Sequence, residues 1–548
     1  MGTFGLTALT TYNAPHILKD RTLAELPTPA AYHTLSHTVL AAGHASLLCG
    51  IRRGIEKEGL RVDSNAFIAQ TPHPECLGSA LTHPHITTDY SESLLELITK
   101  PHSKHQEALD ELLNTHRWVY RCMGDEVIWP GSMPCKLDGE ASIPIAQYGN
   151  SNNGNMKHIY RHGLAWRYGR TMQSIAGIHY NFSLPKAWWD ALYEQSDKSI
   201  SEQDFISAGY IALIRNFRRH AWLLSYLFGA SPALDASFFN GKAHQLDTWG
   251  SDSFYLPHAT CLRMTDLGYK SSAQESIRIC YNHLSTYIDS VKQALNTEYK
   301  EYQGIGVKID GQYRQLNTKL LQIENEFYSE IRPKRTPQNG EKPLTALDQK
   351  GIEYIEVRLL DINPFLPLGL DKAQMQFIDS FLVHCLLSES PRIDAQECRH
   401  IDANLYSVAQ QGRNPALKIT VNGQTASVHS LAQAHLNDML ESVKVLDSAN
   451  HCQDYSDALA AQQGKLDNTE QLPSKQLLNY MQEHDKGYAD SLLALAKQHQ
   501  KELQQELING QTQAFKDMSR ASRQRQAEIE SQDILDFDTF LAEYFNKA

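Results

Sequence analysis

Apolar residues recur along this chain with two different periods. In "GIEKEGLRV" (54–62) polar and apolar positions alternate, so Glu56 and Glu58 point one way while Ile55 and Lys57 point the other, the pattern of a strand with two distinct faces. "IAGIHYNFSL", "KLLQIENEFY" and "GIEYIEVRLLDI" follow the same alternation and are predicted as strands. Helical spacing runs through "YSESLLELIT", "HQEALDELLNTHRWVYRCM", "FISAGYIALIRNFRRHAWLLSYLF" and "QESIRICYNHLSTYIDSVKQAL". Residues 332–351, polar with three prolines and two glycines, predict a flexible loop. Beyond Pro367 the segments "DKAQMQFIDSFLVHCLL", "LAQAHLNDMLESVKVLD" and roughly 490–548 are all helical in spacing, the stretch around 494–532 so polar that a solvated, peripheral helix is expected. Strands far apart in sequence and separated by helices predict an α+β fold. The expected organisation is an N-terminal extension (1–30), a sheet with helical insertions (31–370) and a helical C-terminal region packed on the same unit (371–548).

Composition changes this picture little. The 548 residues are 41% hydrophobic and 21% charged, an ordinary globular balance. A formal net charge of -12 gives no global basic field for nucleic acid or anionic lipid. The opening residues lack a basic n-region followed by an apolar core, and the longest apolar run, "AWLLSYLFGASPAL" from Ala221, contains Gly and Pro and is short for a bilayer. Nine scattered cysteines without a CxxC predict reduced thiols, most of them small buried hydrophobes, and a cytoplasmic location.

Candidate chemistry gathers on the strand faces. Glu324, Glu326 and Tyr328 share one face of their segment, Tyr354, Glu356 and Arg358 another, and His179, Asn181 and Ser183 a third. One reading is a sheet with its polar side in water. The other is a binding face, because Glu, His, Asn and Arg dominate where Lys, Thr and Ser are usual. Carboxylates with an occasional imidazole coordinate Mg²⁺ or Mn²⁺, and arginine clamps phosphate. Asp89, Glu92 and Glu96 fall at i, i+3 and i+7, a single helical stripe that is either solvated or neutralised by a cation. There is no GxxxxGK[ST], no GxGxxG after a strand, no HExxH and no GxSxG; if ATP binds, its phosphates are held by metal and arginine instead of a glycine-rich loop.

"GIEKEGLRV", "ALTHPHITTDYSESLLELIT", "MPC", "QYGNSN", "MQSIAGIHYNFSLP", "YLFGASPA", "LQIENEFYSEIRPKR" and "GIEYIEVRLLDINPF" occur in the order found in proteobacterial-type glutamate–cysteine ligases, which the chain resembles from about residue 30 onward. The resemblance implies ATP-dependent joining of the L-glutamate γ-carboxylate to the amine of L-cysteine, the first step of glutathione synthesis. A carboxylate–amine ligase with another amine substrate is the alternative. The resemblance also implies a glutamine-synthetase-like funnel of curved antiparallel sheet with Mg²⁺ at its floor. Matched by motif, Glu56, Glu58, Glu96, His179 and Glu356 would surround the metal, with Mn²⁺ a substitute. Arg358 would contact phosphate, Asp89 would help deprotonate the amine and Arg263 would pair with the glutamate α-carboxylate. Cysteine would lie near Tyr90, Tyr160, Arg161, Leu164, Gln173, Tyr269 and Tyr328, and Lys334 and Arg335 could meet phosphates. The expected partners are the three small substrates L-glutamate, L-cysteine and ATP, with no nucleic acid and no membrane, and the chain is taken as a monomer.

Overall fold

The structure, a computed structural model, describes residues 29–268, 277–338 and 340–546. Its centre is a seven-stranded antiparallel sheet. The strands are β1 (Arg52–Val62), β2 (Ile86–Thr88), β3 (Leu94–Ile98), β4 (Val127–Ile128), β5 (Ile178–Ser183), β6 (Ile331–Lys334) and β7 (Tyr354–Leu360), in the order β6-β7-β5-β1-β3-β2 with β4 added to β1. Three of the four segments that alternate in the sequence thus form the middle of the sheet.

The back face is the apolar one. Ile55, Leu95, Leu97, Tyr180, Phe182, Ile355 and Val357 are buried there. Helix α1 (His105–Cys122) covers the β1 and β3 end, and the long helix α3 (Glu202–Phe228) covers β6 and β7. Lys57 points the same way and is buried, its Nζ 2.8 Å from His116 Nε2 on α1. Helix α2 (Asn152–Tyr168) overhangs the opposite, polar face. Its start is fixed by the Ser151 hydroxyl, which accepts from Gly154 N–H at 3.1 Å, and it stops at Gly169 with φ 81°.

The C-terminal region is helical as expected. α4 (Lys372–Leu387), capped by Asp371, packs on α3, and α5 (Val428–Asp438) and α6 (Leu440–Asn450) split the single helix expected there. One hydrophobic cluster runs continuously from Tyr32 to Phe515. Asp379 of α4 joins this region to the sheet: it accepts from Arg53 of β1 at 2.7 Å and from Tyr180 of β5 at 2.8 Å, and lies 2.8 Å from His105 of α1. A small hairpin (Lys418–Val421 with Gln424–Ser427) has no counterpart in the sequence reading. The polar stretch near the C-terminus forms two helices, Tyr488–Leu503 and Thr512–Gln532, the second buried only at Phe515, Ser519 and Ser522. Among the described residues no helix is long and apolar enough to cross a membrane.

Several expectations are corrected. "YSESLLELIT" is no helix: Asp89 N–H bonds to Leu94 O at 3.0 Å, closing a tight hairpin whose second strand is β3. The run Leu-Leu-Glu-Leu-Ile is apolar on both faces and pairs on both edges, which rewards a strand more than a short, poorly capped helix. The stripe of Asp89, Glu92 and Glu96 therefore does not exist. "KLLQIENEFY" is not a strand either, but a loop with one short helical turn at Glu324–Glu326, so Glu324, Glu326 and Tyr328 do not share a face. Residues 332–351 are not a single loop. They begin in edge strand β6, where Pro333 is tolerated because no ladder bond is needed from it, and end in the helix Pro343–Lys350. The helix expected from Gln274 starts at Leu284, and its first residues lie outside the described ones, as do residues 1–28 of the expected extension. Cys76 and Cys122 are joined by a disulfide, against the expectation of reduced thiols throughout, while Cys135 is free and buried.

Candidate active site

Ladder register brings the acids together. Residues directly opposite one another in a sheet share a face. Glu58 stands opposite Glu96 of β3, Glu56 opposite His179 of β5, and Asn181 of β5 opposite Glu356 of β7, which in turn faces Arg332 of β6. Five strands thus contribute to one polar cup. Glu56 Oε2 lies 3.2 Å from His179 Nδ1, Glu58 Oε1 3.6 Å from His179 Nε2, and Glu356 Oε1 3.9 Å from His179 Nδ1. Glu56, Glu96 and His179 each offer a ligand atom within 4.8 Å of the other two.

Crowding and burial set the electrostatics. Burial, reinforced by the charges of Glu56, Asp89 and Glu58, holds the Glu96 carboxyl well above the usual carboxylate range, and burial also raises Glu58. Glu56 and Glu356 go the other way. Burial opposes their ionisation, but a hydrogen bond with His179 brings Glu56 below its ordinary value, and Lys334, Arg358 and His179 bring Glu356 well below. Hard carboxylate oxygens around one imidazole are a donor set for a divalent cation with oxygen preference. The side-chain oxygen of Asn181 is buried beside Glu56 without a hydrogen-bond partner among the described residues, which fits the same use.

A small pocket of about 80 Å³ opens off the cup. Arg161, Leu164 and Tyr168 reach it from one stripe of α2, joined by Tyr160, and it is closed by Glu58, Asp89, Tyr90, Met172, Gln173, Asn325, Glu326, Tyr328, Arg332 and Arg358. The Tyr90 hydroxyl is buried there without a partner among the described residues. Arg161 donates through Nε to the Asp89 carbonyl, and its guanidinium lies 4.6 Å from the Tyr148 ring centre. Glu326 accepts from Arg167 at 2.9 Å and from the Tyr168 hydroxyl at 2.7 Å, which pins the end of α2 to the pocket wall.

Arg263 sits behind the cup, 1% exposed, and donates to the Arg358 carbonyl at 2.8 Å. The Arg358 backbone is reachable because the β5–β7 register shifts between Val357 and Leu360. The Arg263 guanidinium occupies the space a side chain on Gly177 would need, Nη2 being 2.2 Å from the position of a Cβ there. Gly177 N–H also donates to Glu58 at 2.6 Å.

The structure therefore brings Glu56, Glu58, Glu96, His179 and Glu356 to one cup, and Asp89, Tyr90, Tyr160, Arg161, Leu164, Gln173, Tyr328 and Arg358 to the pocket beside it. Arg263 lies instead on a larger cavity of about 810 Å³, which also includes Tyr328. Tyr269 is outside the described residues. Lys334 reaches Glu356 at 3.3 Å, whereas Arg335 pairs with Glu353 at 3.9 Å. Glu92 clasps two loops through His73 N–H and Gln147 N–H and takes no part in the cup. Sequence reasoning missed Tyr168, Met172, Asn325 and Arg332. Helical spacing from Arg161 points to Tyr168, but nothing local singles out the other three.

Residues 37–408 match the family model described as glutamate-cysteine ligase. A glutamate–cysteine ligase of Pseudomonas putida is 49% identical over 506 residues, covering 92% of this chain and 96% of the relative, and one of Pseudomonas aeruginosa is 47% identical over 505. A crystal structure of the glutamate–cysteine ligase of Francisella tularensis in complex with AMP superposes with a TM-score of 0.85 at 35% identity, covering 90% of this chain and 97% of that one. A bifunctional glutathione synthetase of Pasteurella multocida shares the fold, with a TM-score of 0.69 at 24% identity over 85% of this chain and 55% of that one. These relatives make the chain a ligase. It belongs to the glutamate–cysteine ligase family.

Proposed function

We propose that the activity of this family, ATP-dependent joining of the L-glutamate γ-carboxylate to the amine of L-cysteine as the first step of glutathione synthesis, runs on the acid-bearing face of the sheet. The observation that carries this reading is the convergence of four glutamates from three strands on His179 and its neighbours, which solvation alone does not require. We take the sheet for a glutamine-synthetase-like funnel, with residues 31–370 as the catalytic unit and 371–548 packed on it. The AMP bound to the Francisella relative supports an adenine nucleotide as a ligand of this chain.

The need for ATP is chemical. An amine cannot expel oxide from a carboxylate. The glutamate γ-oxygen instead attacks the γ-phosphorus of ATP, the bond from phosphorus to the ADP oxygen breaks, and ADP departs with the electron pair. The cysteine amine then attacks the acyl carbon of γ-glutamyl phosphate, inorganic phosphate leaves, and Asp89 takes the amine proton. Mg²⁺ or Mn²⁺ held by Glu56, Glu58, Glu96, His179 and Glu356 would neutralise nucleotide phosphate oxygens. Arg358 contacts the transferring phosphate and Arg263 reads the glutamate α-carboxylate. Tyr90, Tyr160, Arg161, Leu164, Gln173, Tyr269 and Tyr328 receive cysteine, and the pocket's small volume suits a side chain of that size.

Competition among amines tests the reading. With glutamate and ATP fixed, cysteine is expected to release ADP far faster than glycine or alanine. Equal rates would move the chain to another amine, and phosphate release without glutamate would make it a phosphohydrolase.

A further inference from the structure

The acid cup has a second wall of opposite sign. On β6 and β7, Arg332 stands opposite Glu356, Lys334 Nζ lies 3.3 Å from Glu356 Oε1, and Arg358 Nη1 lies 3.2 Å from Glu356 Oε2. Three cations gather at this carboxylate, two of them also within the influence of Glu56 and Glu58. Arg332 is 7% exposed and makes no ion pair with a carboxylate among the described residues. Its hydrogen bonds leave from Nη2 alone, to the carbonyls of Asn325 and Phe327. The donors on Nε and Nη1 have no acceptor among the described residues, and the side chain lines the same pocket as Arg358 and Asp89. Burying a guanidinium is costly, and burial together with the nearby Arg358 charge holds its pKa below the usual arginine range, against the opposing influence of Glu356.

We propose that Arg332 is a further catalytic residue, which with Arg358 clamps the phosphoryl group as it passes from ATP to the glutamate γ-carboxylate. This inference rests on the reading of function given above. During that transfer one phosphorus–oxygen bond forms to glutamate, one breaks to ADP, and negative charge spreads over the equatorial oxygens. A planar guanidinium with unused N–H donors matches two of those oxygens at once, which a lysine cannot do. Acids that hold cations and arginines that hold phosphate would then flank the phosphoryl group from opposite sides. The competing role for Arg332 is purely mechanical: through Asn325 and Phe327 it braces the segment carrying Tyr328, on the cysteine side.

Positional isotope exchange separates the two roles, because it reports γ-glutamyl phosphate formation with cysteine absent. ATP carrying ¹⁸O in the bridge between its β- and γ-phosphates is incubated with Mg²⁺ and glutamate, and scrambling of the label is followed by NMR. Wild type is expected to scramble it. Arg332→Gln is expected to lose at least about 100-fold in exchange rate while ATP binding holds within about threefold, with Arg332→Lys recovering only part of the loss. Exchange at the wild-type rate with a raised cysteine KM would overturn the proposal. No glutamate-dependent exchange in wild type would overturn the underlying reading instead. Should Arg332→Gln fail to fold by circular dichroism, Arg332→Lys carries the same comparison.

Discussion

At the scale of single residues, the cup depends on groups that keep others in position. Gly177 is the clearest, since Arg263 fills the space beside its α-carbon and its N–H holds Glu58. A methyl group there must push the guanidinium away from the Arg358 carbonyl. Gly177→Ala is therefore expected to raise the glutamate KM by about 10–100-fold, the worth of one charge-assisted hydrogen bond, and to leave the cysteine KM nearly unchanged. Arg263→Ala should reproduce that effect, and an unchanged glutamate KM in both would remove Arg263 from substrate recognition. Individual site residues were legible to different degrees. Glu56, Glu58, His179 and Glu356 announce themselves by alternation within their own strands. Arg332 does not, because its meaning comes from a ladder partner 24 residues downstream and from a proline neighbour that makes the segment read as a loop.

At the scale of elements, three helices meet around imidazoles that fold uncharged. His220 of α3 and His435 of α5 stack with ring centres 4.1 Å apart, and His384 of α4 meets His435 edge-on at 4.9 Å. Burial lowers His220 to about 3 and His384 to about 4, and drives His435 well below its ordinary value; the imidazoles' charges on one another and Arg219 add to this, while Glu441 opposes it at His384. An unfolded histidine titrates near 6.5. Between about pH 6.5 and 4 the unfolded chain therefore binds more protons than the folded one, so this stability is present above 6.5 and lost as pH falls. His435→Phe, at a buried apolar position, is expected to flatten the fall in unfolding free energy over that window by about 1.4 kcal/mol per pH unit, measured by urea unfolding at pH 7, 6 and 5. An unchanged slope would contradict the assignment. The helices themselves were legible because α1, α3 and α4 carry long periodic apolar stripes. β3 was not, since a five-residue strand after a tight hairpin offers too few residues to separate a period of 2 from one of 3.6, and Asp89, Glu92 and Glu96 fit a helical stripe by coincidence.

At the scale of the whole molecule, the fold's function is to assemble one polar face from segments spread over some 300 residues. The sequence could suggest that face only as a set of similar strands; register and order, which decide what meets what, are tertiary. The disulfide between Cys76 and Cys122, 46 residues apart, was illegible for the same reason. The helical C-terminal region holds the sheet from behind through Asp379. In this reading the acids of this face bind a divalent cation together. Titration of Mn²⁺ followed by electron paramagnetic resonance, on folded protein without substrates, tests it without relying on activity. Wild type is expected to bind the ion, Glu56→Gln and Glu96→Gln to bind it at least about tenfold more weakly, and Glu324→Gln, outside the cup, to match wild type. Equal Mn²⁺ affinity in all four proteins would contradict a shared metal-binding face.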